Sequence, residues 1–247
     1  EKIGQVTDMN LEEETDAAIL DCFSNITLET ENIKFKFPDS TEPVLQNISL
    51  SIKQGEKIII SGENGAGKTT LIRLLSGLIQ PTSGTFFIND DTFKKIDLKQ
   101  YRSHIGSIIQ GETPFKGTIL ENITFNNPSI TQEDLKWALD AVQLTSFIKT
   151  LPQGLDTRIF PEGKQLSSSN AQKILLARSI INKPRILFLE NPTDKMDEQV
   201  AKEIIEFILS EKNKWTVIVS SDNKHWKSNC TREIIMNNGE VIKDLKK

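Results

Sequence analysis

The chain is 247 residues long, 37% hydrophobic and 26% charged, with a formal net charge of −4. That is enough for a sizeable core, folded as one α/β unit or as a core with a smaller lobe, and it leaves no broad basic field to meet nucleic acid. Two cysteines, Cys22 and Cys230, exclude a disulfide framework or a metal knuckle and suit a reducing cytoplasm, while no apolar run reaches the length of a membrane span and no signal-peptide pattern opens the chain.

Residues 1–21 carry seven acidic side chains against one lysine and few apolar anchors, which reads as an acidic linker or a loosely attached helix. The chain opens on Glu1 rather than methionine, as a piece of something longer would. From Ile26 to Phe37 apolar and polar residues alternate, and Ile48, Leu50 and Ile52 repeat the period of two, so both stretches are expected as strands around a turn at Pro38-Asp39-Ser40. An apolar run, Lys57 to Ser61, leads into Gly62-Glu63-Asn64-Gly65-Ala66-Gly67-Lys68-Thr69, followed by a helical stretch from Thr70 to Leu78. Strand, glycine loop, helix is the order that phosphate binding needs. Glycines let successive N–H groups turn inward around phosphate oxygens, the helix amino end adds its positive dipole, Lys68 reaches the β- and γ-phosphates and Thr69 holds Mg²⁺. A bland alternative is a glycine turn with an exposed lysine.

Pro81 to Gly84 then reads as a turn, Thr85 to Ile88 as a strand, and Ile105 to Ile109 as a short apolar run ending at Gln110. Leu135, Ala138, Leu139, Val142 and Leu144 fall at helical spacing, with Thr131 as the helix start. Leu166 to Ile181 is a second helix closed by Pro184, Ile186 to Leu189 a buried parallel strand, Val200 to Leu209 a helix, and Thr216 to Val219 a strand. Glu233 to Met236 and Glu240 to Ile242 form a hairpin around Asn238-Gly239.

In order and spacing these motifs resemble the nucleotide-binding domain of ABC transporters, from about Ile26 to the end. Gly62 to Thr69 is the phosphate loop, and Gln110 matches the lid glutamine that senses Mg²⁺ and γ-phosphate. Leu166-Ser167-Ser168-Ser169-Asn170 sits where the family reads L-S-G-G-Q, Glu190-Asn191-Pro192-Thr193 where it reads D-E-P-T, and Asp197 closes the following loop. Gly117 to Ile123 and Leu151 to Thr157 look like the exporter subclass. The resemblance implies a P-loop NTPase core with an N-terminal antiparallel β-subdomain and an inserted α-helical subdomain at about 110–184, within a domain at 22–247. It also implies ATP and Mg²⁺ as cofactors. ATP contacts would come from Phe37, Val44, Gly62, Glu63, Asn64, Gly65, Ala66, Gly67, Lys68, Thr69, Thr70, Ser167, Ser168, Ser169, Asn170 and Asp197, and Mg²⁺ contacts from Thr69, Gln110 and Glu190. Phe37 stands at the place of the adenine-stacking aromatic, where a phenyl ring keeps the stacking face. The competing reading is a core residue on an alternating strand, with Phe35 or Val44 making the contact.

Four departures bear on hydrolysis. Asn191 holds the position of the carboxylate that polarises the attacking water, and an amide cannot accept that water's proton. Glu190 replaces the Mg²⁺-associated aspartate with one methylene more. Ser221 holds the position of the switch histidine, His225 reading as a surface histidine four residues further on. Ser168 and Ser169 replace glycines that allow close approach to the γ-phosphate across a dimer, and Asn170 is shorter than the usual glutamine. Ahead of the signature stand Phe160 and Pro161 with Glu162 one place late, so the contact to transmembrane coupling helices is altered too.

The expectation is an exporter-type ATP-binding domain at the cytoplasmic face of a membrane, with slow or absent hydrolysis. Its partners would be a transmembrane domain and a second nucleotide-binding domain, in a homodimer or, preferred, a heterodimer. A fully active ATPase tolerating drift and a soluble regulatory member of the family stay open as alternatives.

Overall fold

The computed structural model of the protein describes residues 25–247, so the expected acidic linker at 1–21 and Cys22 lie outside the described residues. In chain order its elements begin with β1 (Leu28–Phe35), β2 (Leu45–Ile52), β3 (Lys57–Ser61), α1 (Lys68–Leu75), β4 (Ser83–Ile88) and β5 (Asp91–Thr92). Next come α2 (Leu98–Ser103), β6 (Ile105–Ile108), β7 (Gly117–Thr118), α3 (Ile119–Thr124), α4 (Gln132–Ala141), α5 (Thr145–Thr150) and β8 (Arg158–Ile159). The chain closes with α6 (Ser168–Ile180), β9 (Ile186–Glu190), α7 (Glu198–Leu209), β10 (Thr216–Ser220), α8 (Lys224–Asn229), β11 (Arg232–Asn237) and β12 (Glu240–Lys246).

Two sheets carry the fold. An antiparallel sheet runs β2-β1-β4-β5, and its alternating strands bury one face. The main sheet runs β12-β11-β3-β10-β9-β6, parallel from β11 to β6 with β12 antiparallel at the edge. β9 and β10 are buried along their whole length, as strands covered on both faces must be. Their alternate residues serve different cores. Ile58, Ile60, Phe188 and Ile218 pack with α1 and the antiparallel sheet, whereas Ile59, Leu187, Leu189, Val217 and Val219 pack with α3, α4, α6 and α7. The α/β class read from the sequence holds.

Local chemistry explains several boundaries. Thr118 and Thr131 each close a capping box, with Glu121 and Asp134, so α3 and α4 start where a threonine hydroxyl can accept from the third amide of the helix. Asn238 and Gly239, both at positive φ, turn β11 into β12. Other edges differ from expectation. Ser83 and Gly84 belong to β4 rather than to a turn, because Ser83 pairs with Lys34 of β1. Helix α6 begins at Ser168, with Ser167 as its cap, and α7 begins two residues before Val200.

The tightest joint in the sheet is at Gly106, where β6 runs under α6. A Cβ there would lie 1.9 Å from the Ser179 carbonyl oxygen, and since that is backbone against backbone, no rotamer relieves it. Gly106→Ala is expected to cost about 1–3 kcal/mol. Urea unfolding should show a lower midpoint at an unchanged slope; an unchanged midpoint would mean the helix does not press on the strand.

Candidate functional site

The carboxyl ends of β3, β6, β9 and β10 bring the sequence motifs to one edge of the main sheet. β3 ends at Ser61, and the chain turns at Gly62 with φ 145°. Here too a side chain has no room: a Cβ would lie 2.3 Å from the Met236 carbonyl oxygen. The loop is tied a second time by Gly239 N–H, which donates to Ala66 O at 3.1 Å. Glu63, Asn64 and Gly65 are exposed, Ala66 is buried, and Gly67 caps α1, whose first turn holds Lys68, Thr69 and the buried Thr70. Lys68 Nζ donates to Gly62 O at 2.6 Å and Glu63 O at 2.9 Å, so its ammonium lies over the loop. Val44 flanks the same turn, its carbonyl oxygen 3.1 Å from the place of a Cβ at Gly67. Phe37 stands edge-on to Phe35, with centroids 4.8 Å apart and planes at 87°, and leaves a ring face open to solvent.

Gln110 and Glu190 meet directly. Gln110 N–H donates to Glu190 Oε2 at 2.7 Å, and among the described residues the other carboxylate oxygen and the exposed glutamine side chain make no hydrogen bond. Thr69, Gln110 and Glu190 are oxygen donors, the chemistry a hard cation such as Mg²⁺ selects. Glu112, which no sequence motif marks, joins this pair. The residue is exposed overall, but its carboxyl turns inward to accept Ile109 N–H at 3.1 Å, on the amide next to the one Glu190 holds. Enclosure pushes this carboxyl up, with the Glu190 charge adding to the rise, while Ile109 N–H and Arg178 hold it back.

Asn191 follows at φ 46°, its N–H donating to Ser220 O at 2.8 Å and its carbonyl accepting Gln172 Nε2 at 2.5 Å. Gln172 Oε1 accepts Lys195 N–H at 2.9 Å, so this side chain of α6 holds both ends of the 191–195 loop. A polar residue one turn into a helix carries no distinguishing signal in sequence, and Gln172 was not singled out. Ser167 Oγ accepts Asn170 N–H at 3.2 Å; Ser167 and Ser168 are exposed, Ser169 and Asn170 half-buried. Among the described residues no hydrogen bond joins this segment to the phosphate loop. Asp197 caps α7 without a side-chain bond, and its charge opposes the lowering of the Lys173 pKa that burial causes.

Ser221 Oγ accepts Asn223 N–H at 3.2 Å, and His225 Nε2 lies 3.4 Å from Glu198 Oε1, facing the start of α7. A cavity of about 470 Å³ opens between the loop after β9 and the loop after β10, lined by Asp194, Met196, Glu198, Asp222 and His225 among others. Enclosure pushes the Asp194 carboxyl up and Asp222 adds to this, against the opposing charge of Lys195.

Residues 45–194 match the family model for ABC transporters. The chain is 35% identical over 228 residues to the ATP-dependent permease MDL1 of Candida albicans, covering 90% of this chain and 33% of that protein. It is 33% identical over 208 residues to the uncharacterized ABC transporter ATP-binding protein YfiB of Bacillus subtilis strain 168, covering 84% of this chain and 36% of that one. The chain thus spans about a third of the length of these curated relatives. In fold it superposes on a bacterial Atm1-family ABC exporter solved with ATP bound, with a TM-score of 0.90 at 22% identity, over 99% of this chain and 43% of that one.

The left-handed backbone at Asn191 suits asparagine, whereas a longer side chain loses about 1–2 kcal/mol there. Asn191→Glu is therefore expected to lower stability by about 1 kcal/mol while Asn191→Gly leaves it within a few tenths. Thermal or urea unfolding of the two variants checks the order, and a glutamate variant as stable as the glycine one would refute it.

Proposed function

We propose that this chain, which belongs to the ABC transporter family, is the ATP-binding domain of an exporter and a poor catalyst of hydrolysis. Residues 22–247 form the domain and about 110–184 its helical subdomain. It works at the cytoplasmic face of a membrane, joined to a transmembrane domain of the same or an associated polypeptide. The observation that carries the catalytic half of this reading is the pair Glu190–Asn191. The carboxylate suited to Mg²⁺ is held by Gln110 N–H, and the next position offers an amide where a proton acceptor is needed.

ATP lies along the phosphate loop. The backbone amides of 62–69 and the amino end of α1 surround the phosphates, Lys68 leaves the Gly62 and Glu63 carbonyls for the β- and γ-oxygens, and Phe37 stacks on the base beside Val44. Thr69, Glu190 and Gln110 would hold Mg²⁺, which supplies charge neutralisation at the β- and γ-phosphates. Calorimetry of the chain with Mg·ATP is expected to show binding that Lys68→Ala weakens at least tenfold, with phosphate release close to background. Robust release that Lys68→Ala abolishes would overturn the catalytic half of the reading.

A second reading, a working ATPase, draws on Glu112, a carboxyl beside Glu190 that enclosure and the Glu190 charge push above the usual carboxylate range and so make a better proton acceptor. The two readings part at Glu112→Gln, which abolishes turnover under the second and leaves it at background under the first, while Asn191→Glu tests the first alone. Groups acting as one unit are strongly non-additive, so restoring one carboxylate beside Ser221 and an altered signature should change turnover by less than about tenfold.

ABC domains pair head to tail, each ATP lying between one phosphate loop and the other subunit's signature. Two copies of this chain would place Asn191, Ser221 and Ser168–Asn170 in both sites, whereas a partner with an intact site would leave one site hydrolytic and one as a long-lived clamp. A heterodimer with this chain as its non-catalytic half follows. Co-expression with its genomic neighbour is expected to yield a 1:1 complex whose ATPase activity needs the partner's catalytic carboxylate and survives change at Asn191. A full-length homodimer that transports with ATP alone would sink it.

A further inference from the structure

The starting ends of the main strands, opposite the phosphate loop, carry a row of cations. Lys53 precedes β3, Arg185 directly precedes β9, and Lys212 and Lys214 precede β10, which lies between those two strands. All four are exposed, and none has an ion-pair partner among the described residues. Lys57 lies just beneath, its ammonium donating to Trp215 O at 2.6 Å and Asn213 O at 3.1 Å. Two acidic residues stand among them: Glu211, and Glu56, whose carboxylate accepts Lys53 N–H at 3.2 Å and is paired with Arg232 at 2.7 Å. The rim is compact, since three adjacent strands span about 10 Å.

The described chain begins at this rim. Ile26 N–H donates to Gln54 Oε1 at 3.0 Å, and Gln54 Nε2 donates to Lys214 O at 2.8 Å and Arg185 O at 3.3 Å. One side chain thus ties the point of entry to the backbone of two of the four cationic residues. What precedes that point is residues 1–21, with seven carboxylates against one lysine. Asp21 is five residues from Ile26, within about 17 Å even if extended, and Glu12 to Glu14 are within about 50 Å.

We propose that residues 1–21 dock on the basic rim of Lys53, Arg185, Lys212 and Lys214, as an acidic strap across the starting ends of the main strands. Each exposed ion pair is weak, but the tether holds the segment at an effective concentration on the order of millimolar, so several weak pairs suffice. The contact is sensitive to salt, because the Debye length shrinks from about 10 Å at 0.1 M to about 3 Å at 1 M. Docking does not depend on the nucleotide reading, and it fixes the direction from which the preceding chain approaches the domain.

The test uses the full chain and a glutamate-specific protease, following cutting at Glu12, Glu13 and Glu14 by mass spectrometry. At about 50 mM salt, Arg185→Gln/Lys214→Gln is expected to be cut about fivefold faster than the parent. Lys53→Gln/Lys212→Gln should follow the same direction, and the gap should close near 0.5 M salt. Unfolding midpoints within a degree of the parent's would show that the exposed substitutions leave the fold intact, and either variant alone carries the comparison. Equal cutting of parent and both variants at low salt overturns the proposal. So does binding of the parent to vesicles of anionic phospholipid that the variants lose, since the rim would then face a lipid surface rather than the strap.

Discussion

The contact on which the rest of the molecule depends is the approach of Gly62 to the Met236 carbonyl, so close that a methyl group would lie 2.3 Å from the oxygen. It presses the start of the phosphate loop against the end of β11. The hairpin after β11 then reaches both neighbours: Gly239 N–H bonds Ala66 O, and Gln46 N–H of β2 bonds Gly239 O at 2.9 Å. Loop, main sheet and antiparallel sheet are knotted at one point, and Val44 comes to lie beside Gly67. A loop so fixed loses little further freedom when it closes around an anion, which is the physical content of preorganisation.

Around this knot charge is unevenly arranged. The carboxyl ends of the strands gather like-charged pairs, Glu112 with Glu190 and Asp194 with Asp222, and in each pair one carboxyl is pushed up by enclosure and by its neighbour. Such an edge is relieved by a cation and by the phosphates that bring one. The opposite edge carries Lys53, Arg185, Lys212 and Lys214 and lies where the described chain begins. On the flank, Arg232 is buried and bonds Asp244 through two parallel contacts of 2.8 and 2.6 Å, Glu56 at 2.7 Å and the Ser51 carbonyl at 2.8 Å, clasping β11, β12 and the turn after β2.

Asn191, Ser167 and Ser221 are locally well accommodated. Asn191 adopts a backbone that asparagine tolerates better than most residues, Ser167 caps α6, and Ser221 accepts a local N–H. Each of these side chains or backbones thus has a local structural role. Gln172 completes this, since it fixes the 191–195 loop from the helix that carries the signature segment.

Much of the molecule was legible before any coordinates. Period-two alternation marked β1 and β2, short apolar runs marked β3, β9 and β10, Thr131 marked the start of α4 and Asn238-Gly239 the last turn, because each rests on interactions between residues close in sequence. The glycine loop followed by Lys68 and Thr69 likewise states its chemistry locally. What sequence alone could not supply is decided by contacts between segments far apart. Ser83 joins β4 only because β1 offers it a partner, and Gly106 and Gly62 are required by carbonyls 73 and 174 positions away. The inward turn of Glu112 beside Glu190, the double grip of Gln172 and the basic row at the strand starts arise in the same way. Local pattern determined which elements form and where the glycine loop lies; strand order and packing decided which charges and side chains face one another, because parallel strands bring together residues whose sequence neighbours say nothing of one another.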